Sequence, residues 1–213
     1  MSDVKNVLAV TADLKRCSIA VKFEGQVFEV NENVNSPTYL VKLVQDLCSQ
    51  NQIDLKKIDR VVTTSGPGSF TGIRTAQSFV KGIALALKIP AACASYFHVI
   101  KNLFGQKFGR ERQPVAIIRS EKNQVYFYDF ATENFGVSPY ESLEKMISAE
   151  KSTTQTSMAQ PLAGDKIDEV LQNTEREFFE INNYKDAKNF LELTDFQSKV
   201  VPLYINARAC NGG

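Results

Sequence analysis

The run Ser65-Gly66-Pro67-Gly68-Ser69-Phe70-Thr71-Gly72-Ile73-Arg74 is the part of this 213-residue chain that most invites chemistry. Glycines there supply positive φ or close backbone approach, and Pro67 fixes φ beside them. Ser69 or Thr71 is placed to cap a following helix, whose first N–H groups would point outward and could cradle a phosphate. The phosphate templates fail, however. A Walker loop counted from Gly66 or Gly68 finds Thr71 or Ile73 where it needs glycine, and a dinucleotide fingerprint finds Gly72 one residue late. No G-x-S-x-G elbow surrounds Ser69. A tight, capped strand-to-helix turn accounts for the same residues without any ligand.

Other candidate chemistry is thinner. Asp13 and Asp129 each follow an apolar strand, as a metal-binding carboxylate might, but no companion stands at a defined spacing. Ser78–Lys81 and Ser142–Lys145 match S-x-x-K; a chain with 15 Ser and 17 Lys produces such matches by chance, and the companion motifs are missing. The single histidine, His98, excludes H-E-x-x-H and every paired-histidine metal centre. Cys17, Cys48, Cys93 and Cys210 include no C-x-x-C pair, so zinc is discounted and free thiols in a reducing compartment are expected. No metal ligand set and no catalytic triad emerges.

The elements that must hold the turn are legible from periodicity. Val4–Thr11, Cys17–Glu24 and Gln26–Val30 read as strands joined by tight turns, with Glu24-Gly25 between the last two. Tyr39–Gln50 reads as a helix with a Leu40, Val41, Val44, Leu47, Cys48 stripe, started by Pro37 and Thr38. Asp59–Ser65 is a strand, Gly66–Gly72 the turn and Thr71–Lys88 a long helix stopped by Pro90. Pro90–Ser95 is a short strand and Ser95–Phe104 a helix. Beyond them Pro114–Arg119 and Gln124–Ala131 read as paired strands. Pro139–Ser148, Asp165–Gln172 and Asn183–Leu193 read as helices, and Val200–Ile205 as a terminal strand. Residues 151–160, KSTTQTSMAQ, read as a solvated loop. Strands first, then strands alternating with helices, predict a mixed α/β fold.

Two helices are apolar over more than one face. Thr71–Lys88 carries an Ile73, Ala76, Val80, Ile83, Leu87 stripe with Phe79, Leu85 and Ala86 outside it. Tyr39 and Leu43 broaden the first helix in the same way. Such faces are covered either by the chain's own sheet or by a partner. Gly82, costing about 1 kcal/mol against Ala in a helix, suggests a close helix–helix approach.

Composition bounds the answer. With 25 basic and 24 acidic residues the net charge is +1, which argues against a broad nucleic-acid footprint. Residues 1–105 hold 12 basic and 8 acidic residues, and residues 106–213 hold 13 and 16. With the break expected at Gly105–Gln113, this predicts two units, 1–105 and 106–213. Met1–Asn6 has no apolar leader, and no apolar run approaches the ~20 residues of a membrane span. A soluble cytoplasmic protein with no membrane contact is expected.

Ser65–Arg74, followed by Lys81-Gly82-Ile83-Ala84 and Ile89-Pro90, resembles the TsaB (YeaZ) family, whose run is G-P-G-S-F-T-G-hydrophobic-R, then K-G-hydrophobic-A and hydrophobic-Pro. Weaker agreement covers Leu8-Ala9-Val10, Cys17–Val21, Val125-Tyr126 and Pro202-Leu203-Tyr204. The departures fall on polar positions. Thr11-Ala12 stand where the family usually has Asp-Thr, Asn35-Ser36 where it has His-Ser, and Arg119-Ser120-Glu121 where it has Asp-Ala-Arg. In nucleotide-binding relatives that first Asp belongs to the phosphate and metal site.

The resemblance implies an actin-like ASKHA fold of two small lobes, each a mixed sheet with helices. It implies a non-catalytic scaffold subunit in the biosynthesis of N6-threonylcarbamoyladenosine in tRNA. Catalysis and metal would lie on a TsaD-type paralog, with a TsaE-type ATPase joining; ATP and metal are expected on those partners and no cofactor on this chain. First-lobe helices would meet the paralog, or a second copy in a homodimer, and tRNA only indirectly. The expected contacts are Tyr39, Leu40, Leu43, Val44 and Leu47 on the first helix, with Arg74, Gln77, Ser78, Lys81 and Leu85 on the second. The turn Gly66, Pro67, Gly68, Ser69, Phe70, Thr71, Gly72 would be structural, its three glycines setting the helix angle. The rival expectation is an ATP-dependent ASKHA-fold phosphoryl or acyl transferase acting alone, with Asp13 on the metal and Gly66–Gly72 on the phosphates.

Overall fold

Three strands open the chain as an antiparallel meander: β1 (Val7–Ala12), β2 (Cys17–Phe23) and β3 (Gln26–Glu32). Glu24 and Gly25 both take positive φ between β2 and β3, as two-residue hairpins require for their twist to match the strands. The computed structural model describes residues 4–13, 16–33, 39–120, 123–142, 161–164, 178–181, 183–193, 196 and 200. β1 is buried throughout, whereas β3 is largely exposed at the sheet edge.

Helix α1 (Tyr39–Gln50) leads to β4 (Arg60–Gly66), and α2 (Phe70–Leu87) leads to β5 (Ala91–Ser95). Both strands add in parallel, giving a five-stranded sheet of order β3-β2-β1-β4-β5. Helix α3 (Tyr96–Phe108) follows directly. β6 (Val115–Arg119), β7 (Gln124–Asp129) and β8 (Asn134–Pro139) form a second antiparallel meander. β9 (Leu162–Gly164) and β10 (Phe178–Glu180) join it in parallel, giving the order β10-β9-β6-β7-β8. The two sheets thus share one plan, a meander whose first strand pairs in parallel with a fourth strand, which in turn takes a fifth in parallel.

The chain clusters into two compact units, Met1–Val99 with Lys185–Leu203, and Ile100–Tyr184 with Tyr204–Gly213. The division falls inside α3, so Gly105 lies within a helix rather than in a linker. The first unit also takes back a C-terminal stretch that a cut into 1–105 and 106–213 leaves out.

In the first unit α1 and α2 cover one face of the sheet. Leu8, Val10, Ile19 and Val21 pack there with Leu40, Leu43, Val44, Leu47, Ala76 and Val80. The C-terminal stretch packs against β1, β2, β3 and β4. Asn183–Leu193, expected as a helix, is instead a series of turns with one 3-10 turn at Ala187–Phe190. Its backbone groups are spent on the sheet. The Ala187 N–H donates to Ser18 Oγ at 2.7 Å, and Thr11 Oγ1 donates to the Lys185 carbonyl at 2.8 Å. Arg16 pairs with Asp186, and Lys188 pairs with Glu29 at 2.9 Å. Phe190 is fully buried and meets the Tyr96 ring edge-on.

In the second unit, Pro139 ends β8 and Tyr140–Ser142 is a 3-10 turn, so the helix expected at Pro139–Ser148 does not start there. The remainder of that helix, Asp165–Gln172, most of the terminal strand Val200–Ile205, the loop 151–160, the Pro37–Thr38 start signal and Cys210 lie outside the described residues.

Phe190→Ala is expected to lower unfolding free energy by about 3–5 kcal/mol, the cost of emptying a buried aromatic site. Urea unfolding checks it; a change below about 1 kcal/mol would show that the return segment is not part of the first unit's core.

Candidate functional site

The turn after β4 is built from its backbone outward. Gly66 takes φ +103 and its N–H donates to Thr64 Oγ1 at 2.9 Å. The Gly66–Pro67 peptide is cis. Ser69 is the N-cap of α2, its Oγ accepting from the Gly72 N–H at 3.3 Å. At Gly72 a Cβ would lie 2.6 Å from the Ala12 carbonyl oxygen and 2.7 Å from Asp13 Cα. Only glycine lets the first turn of α2 rest on the end of β1. Gly68 is different. Its φ is not positive, and a Cβ there would meet Ile73 and Tyr96 at ordinary contact distances. Two of the three glycines therefore set the helix, and Gly68 does not.

The strand ends beside this turn are where a phosphate and metal would have to sit. The residues present do not fit them. Asp13 pairs with Lys185 at 3.6 Å, and its N–H donates to the Arg16 carbonyl at 2.7 Å. Thr11 is bonded to the returning chain. The N–H of Gly72 is taken by Ser69, and the helix end lies against Ala12 and Asp13. Among the described residues no three His, Cys, Asp or Glu groups gather as metal ligands.

Tyr96 lies beneath, with its hydroxyl in hydrogen-bond contact with the Thr64 and Thr11 side chains. Burial, helped by the Asp13 carboxylate, pushes the Tyr96 phenol well above its usual range. Burial likewise raises the Asp186 carboxyl, against the pull of Arg16 and Lys188. His98 belongs to a helix cap: Ser95 Oγ lies 2.6 Å from its Nδ1 and accepts from its backbone N–H at 3.3 Å. The buried Cys17 and Cys48 thiols are raised by desolvation, which keeps them protonated. Asp129 caps its own turn, accepting from Ala131 N at 2.8 Å.

The helices divide the expected contact residues in two. Leu40, Leu43, Val44 and Leu47 are buried against the sheet and cannot meet a partner. Gln77 is also turned inward, 3% exposed, with Nε2 donating to the Thr64 carbonyl at 3.0 Å. Tyr39, Arg74, Ser78, Lys81 and Leu85 are exposed. Leu85 is 81% exposed and Phe70 57%. The Arg74 guanidinium lies 4.0 Å over the Phe70 ring. Phe70 and Val41 are exposed on the same outer surface, Phe70 from what was expected to be the turn and Val41 from what was expected to be the buried stripe of the first helix. Gly82 is exposed, and a Cβ there would meet nothing within 4 Å, so within this chain it makes no close helix approach.

The family model for TsaD, tRNA N6-adenosine threonylcarbamoyltransferase, matches residues 35–192, about three quarters of the chain. A tRNA threonylcarbamoyladenosine biosynthesis protein TsaB from Buchnera aphidicola subsp. Baizongia pistaciae is 24% identical over 96% of this chain and 100% of its own length. The TsaB of Escherichia coli is 26% identical over 68% of this chain and 63% of its own. The chain belongs to this family, as a TsaB (YeaZ) member. The solved YeaZ from Pseudomonas aeruginosa, 21% identical, superposes with a TM-score of 0.71 over 94% of this chain and 100% of that one. The fold is the actin-like ASKHA fold. TsaD proteins also match in part: that of Fervidobacterium nodosum is 29% identical over 46% of this chain and 29% of its own. Against the family's Asp-Thr, this TsaB-family member has Thr11 and Ala12 as the last residues of β1, one bonded to the return segment and the other covered by Gly72.

Gly72→Ala is expected to cost about 1–3 kcal/mol through forced overlap, whereas Gly68→Ala stays within about 1 kcal/mol. Denaturant midpoints of the two variants check this, and equal losses would contradict it. The Tyr96 phenol is stabilised as neutral in the fold, so its contribution is present below the unfolded value near 10 and is lost as pH rises beyond it. Tyr96→Phe should therefore lose stability less steeply than wild type above about pH 10. Thermal melts across that range check the difference.

Proposed function

We propose that this chain is a non-catalytic partner subunit in tRNA N6-threonylcarbamoyladenosine biosynthesis. It pairs with a TsaD-type catalytic subunit, with a TsaE-type ATPase joining, in the cytoplasm. The observation that carries the reading is the contrast between the two sides of α2. Its N-terminal end is closed against β1 by Gly72, while its outer face leaves Phe70 and Leu85 in solvent. Large apolar side chains gathered on one exposed surface are the usual mark of a protein contact. The names carried by the similar TsaB proteins support the pathway, and the match to TsaD proteins supports a paralogous partner. Among the described residues no helix is long and apolar enough to cross a membrane.

The contact set is therefore Tyr39 and Val41 on α1 with Phe70, Arg74, Ser78, Lys81 and Leu85 on α2. α1 and α2 lie on one face of the sheet, so their outer sides are presented together. Gly82 on the same surface leaves room for a partner helix to approach. A second copy of the chain would use the same surface.

Leu85→Asp should leave the melting temperature within a few degrees, because that side chain touches little of its own fold. It should weaken capture of a TsaD-type protein from the same cell by about tenfold or more, since burying a leucine contributes about 1.5–3 kcal/mol. Pull-down and titration calorimetry read both. Unchanged capture would remove α2 from the contact. Tight binding and hydrolysis of ATP with magnesium by the isolated chain would favour the lone transferase instead.

A further inference from the structure

Three buried hydroxyls lie in a row in the first unit. β1 and β4 run in parallel with Val10 beside Thr63, so the next residues, Thr11 and Thr64, are neighbours. Tyr96, at the start of α3, brings its hydroxyl to both of their side chains. All three residues are buried, so their polar atoms find partners within the fold.

Backbone groups fix both ends of the row. At one end Thr11 Oγ1 donates to the Lys185 carbonyl of the return segment at 2.8 Å. At the other, Thr64 Oγ1 accepts from the Gly66 N–H at 2.9 Å. A hydroxyl has one proton to donate. Thr11 gives its proton to Lys185, so the Tyr96 O–H donates to Thr11, and the Thr64 O–H donates to Tyr96. The row therefore runs in one direction, from the Gly66 N–H through Thr64, Tyr96 and Thr11 to the Lys185 carbonyl.

Packing makes the same connection. The Tyr96 ring meets Phe190 of the return segment edge-on, with centroids 5.9 Å apart. On the side of the turn, a Cβ on Gly68 would lie 3.8 Å from that ring. Pairing of β4 with β5 passes from Thr64–Ala94 to Gly66–Ser95 and skips Ser65. At that break side chains take the backbone groups: Thr64 Oγ1 holds the Gly66 N–H, and Gln77 Nε2 holds the Thr64 carbonyl at 3.0 Å. Without the Lys185 carbonyl, one hydroxyl in the row loses the acceptor for its proton. A buried polar group left unmatched is costly, and bonds in a directed row strengthen one another. The return segment and the turn each hold best while the other is in place.

We propose that the return segment and the Gly66–Gly72 turn form one latch over the strand ends, linked by Tyr96, so that the two loosen together. Thr11, Ala12 and Asp13 are then uncovered in a single local opening rather than by either cover alone. Tyr96 is the positioning residue of this device. Its hydroxyl carries the link, beyond the ring's share of the core.

Amide hydrogen exchange of the full chain tests the link through a double-mutant comparison. Ser18→Ala removes the acceptor of the Ala187 N–H and lies outside the row. It should quicken exchange in 185–190 by about five-fold or more, for one buried hydrogen bond lost. With Tyr96 intact, exchange in 60–70 should quicken several-fold as well. In a Tyr96→Phe background, which keeps the ring, Ser18→Ala should quicken 185–190 and leave 60–70 unmoved. Tyr96→Phe by itself should quicken both segments, while α1, 39–50, stays constant in every variant. If Ser18→Ala melts early, Lys188→Ala, which removes the pair with Glu29, carries the comparison. Four results overturn the proposal. They are both segments unmoved by Tyr96→Phe, 60–70 unmoved with Tyr96 intact, an equal response of 60–70 in the two backgrounds, and quickening of α1 to the same degree.

Discussion

At Gly72 the first turn of α2 lies on the backbone of Ala12 and Asp13, with no room for a methyl group. Much else in the first unit depends on that contact. It fixes where α2 starts, and the Ser69 cap and the Gly66 bend deliver the chain to it. Once α2 starts there, Ile73, Ala76 and Val80 must face the sheet, and Phe70, Arg74, Lys81 and Leu85 must face away. A single close approach thus closes the strand ends and aims the outer surface.

The return segment completes the closure. Helical hydrogen bonds are given up along 185–190 in favour of bonds to Thr11 and Ser18. Buried donors and acceptors are costly when unmatched, so these pairings hold the segment in place. The ion pairs around them contribute less. Lys22–Glu192 and Lys188–Glu29 are well solvated, and pairs of that kind are worth about 0–1 kcal/mol. Apolar burial of Phe190 and Ala187 supplies most of the attachment.

Much of this architecture was legible from residue pattern, because long strands and helices write their burial into a period. α1 has the expected bounds, Tyr39 to Gln50, and the turn and α2 fall where glycine, serine and proline put them. The exposed face of the two helices was legible only in part, for a related reason. A regular apolar stripe reveals a helix because it is the stripe the helix buries, so Leu40, Val44 and Leu47 point inward. The solvent-facing side chains include Leu85, which lies outside its stripe, and Val41, which the expected stripe counted as inward. β9 and β10 have three residues each, too few to show alternation. In β9 the signal was a glycine: a Cβ on Gly164 would fall on the Ile117 carbonyl. Asn183–Leu193 has a helix-like composition whose backbone the sheet claims. Gly68 shares a motif with Gly66 and Gly72 without sharing their conformational need.

The central claim is that α1 and α2 present the working surface while the strand ends are held shut by the chain itself. Amide hydrogen exchange with and without a TsaD-type partner tests it most directly. Slowed exchange along 39–50 and 70–87, with 11–18 and 185–190 equally slow in both states, is the predicted result. Protection that instead appears at 11–18 and 185–190 on partner or nucleotide addition, with the two helices unchanged, would contradict the account.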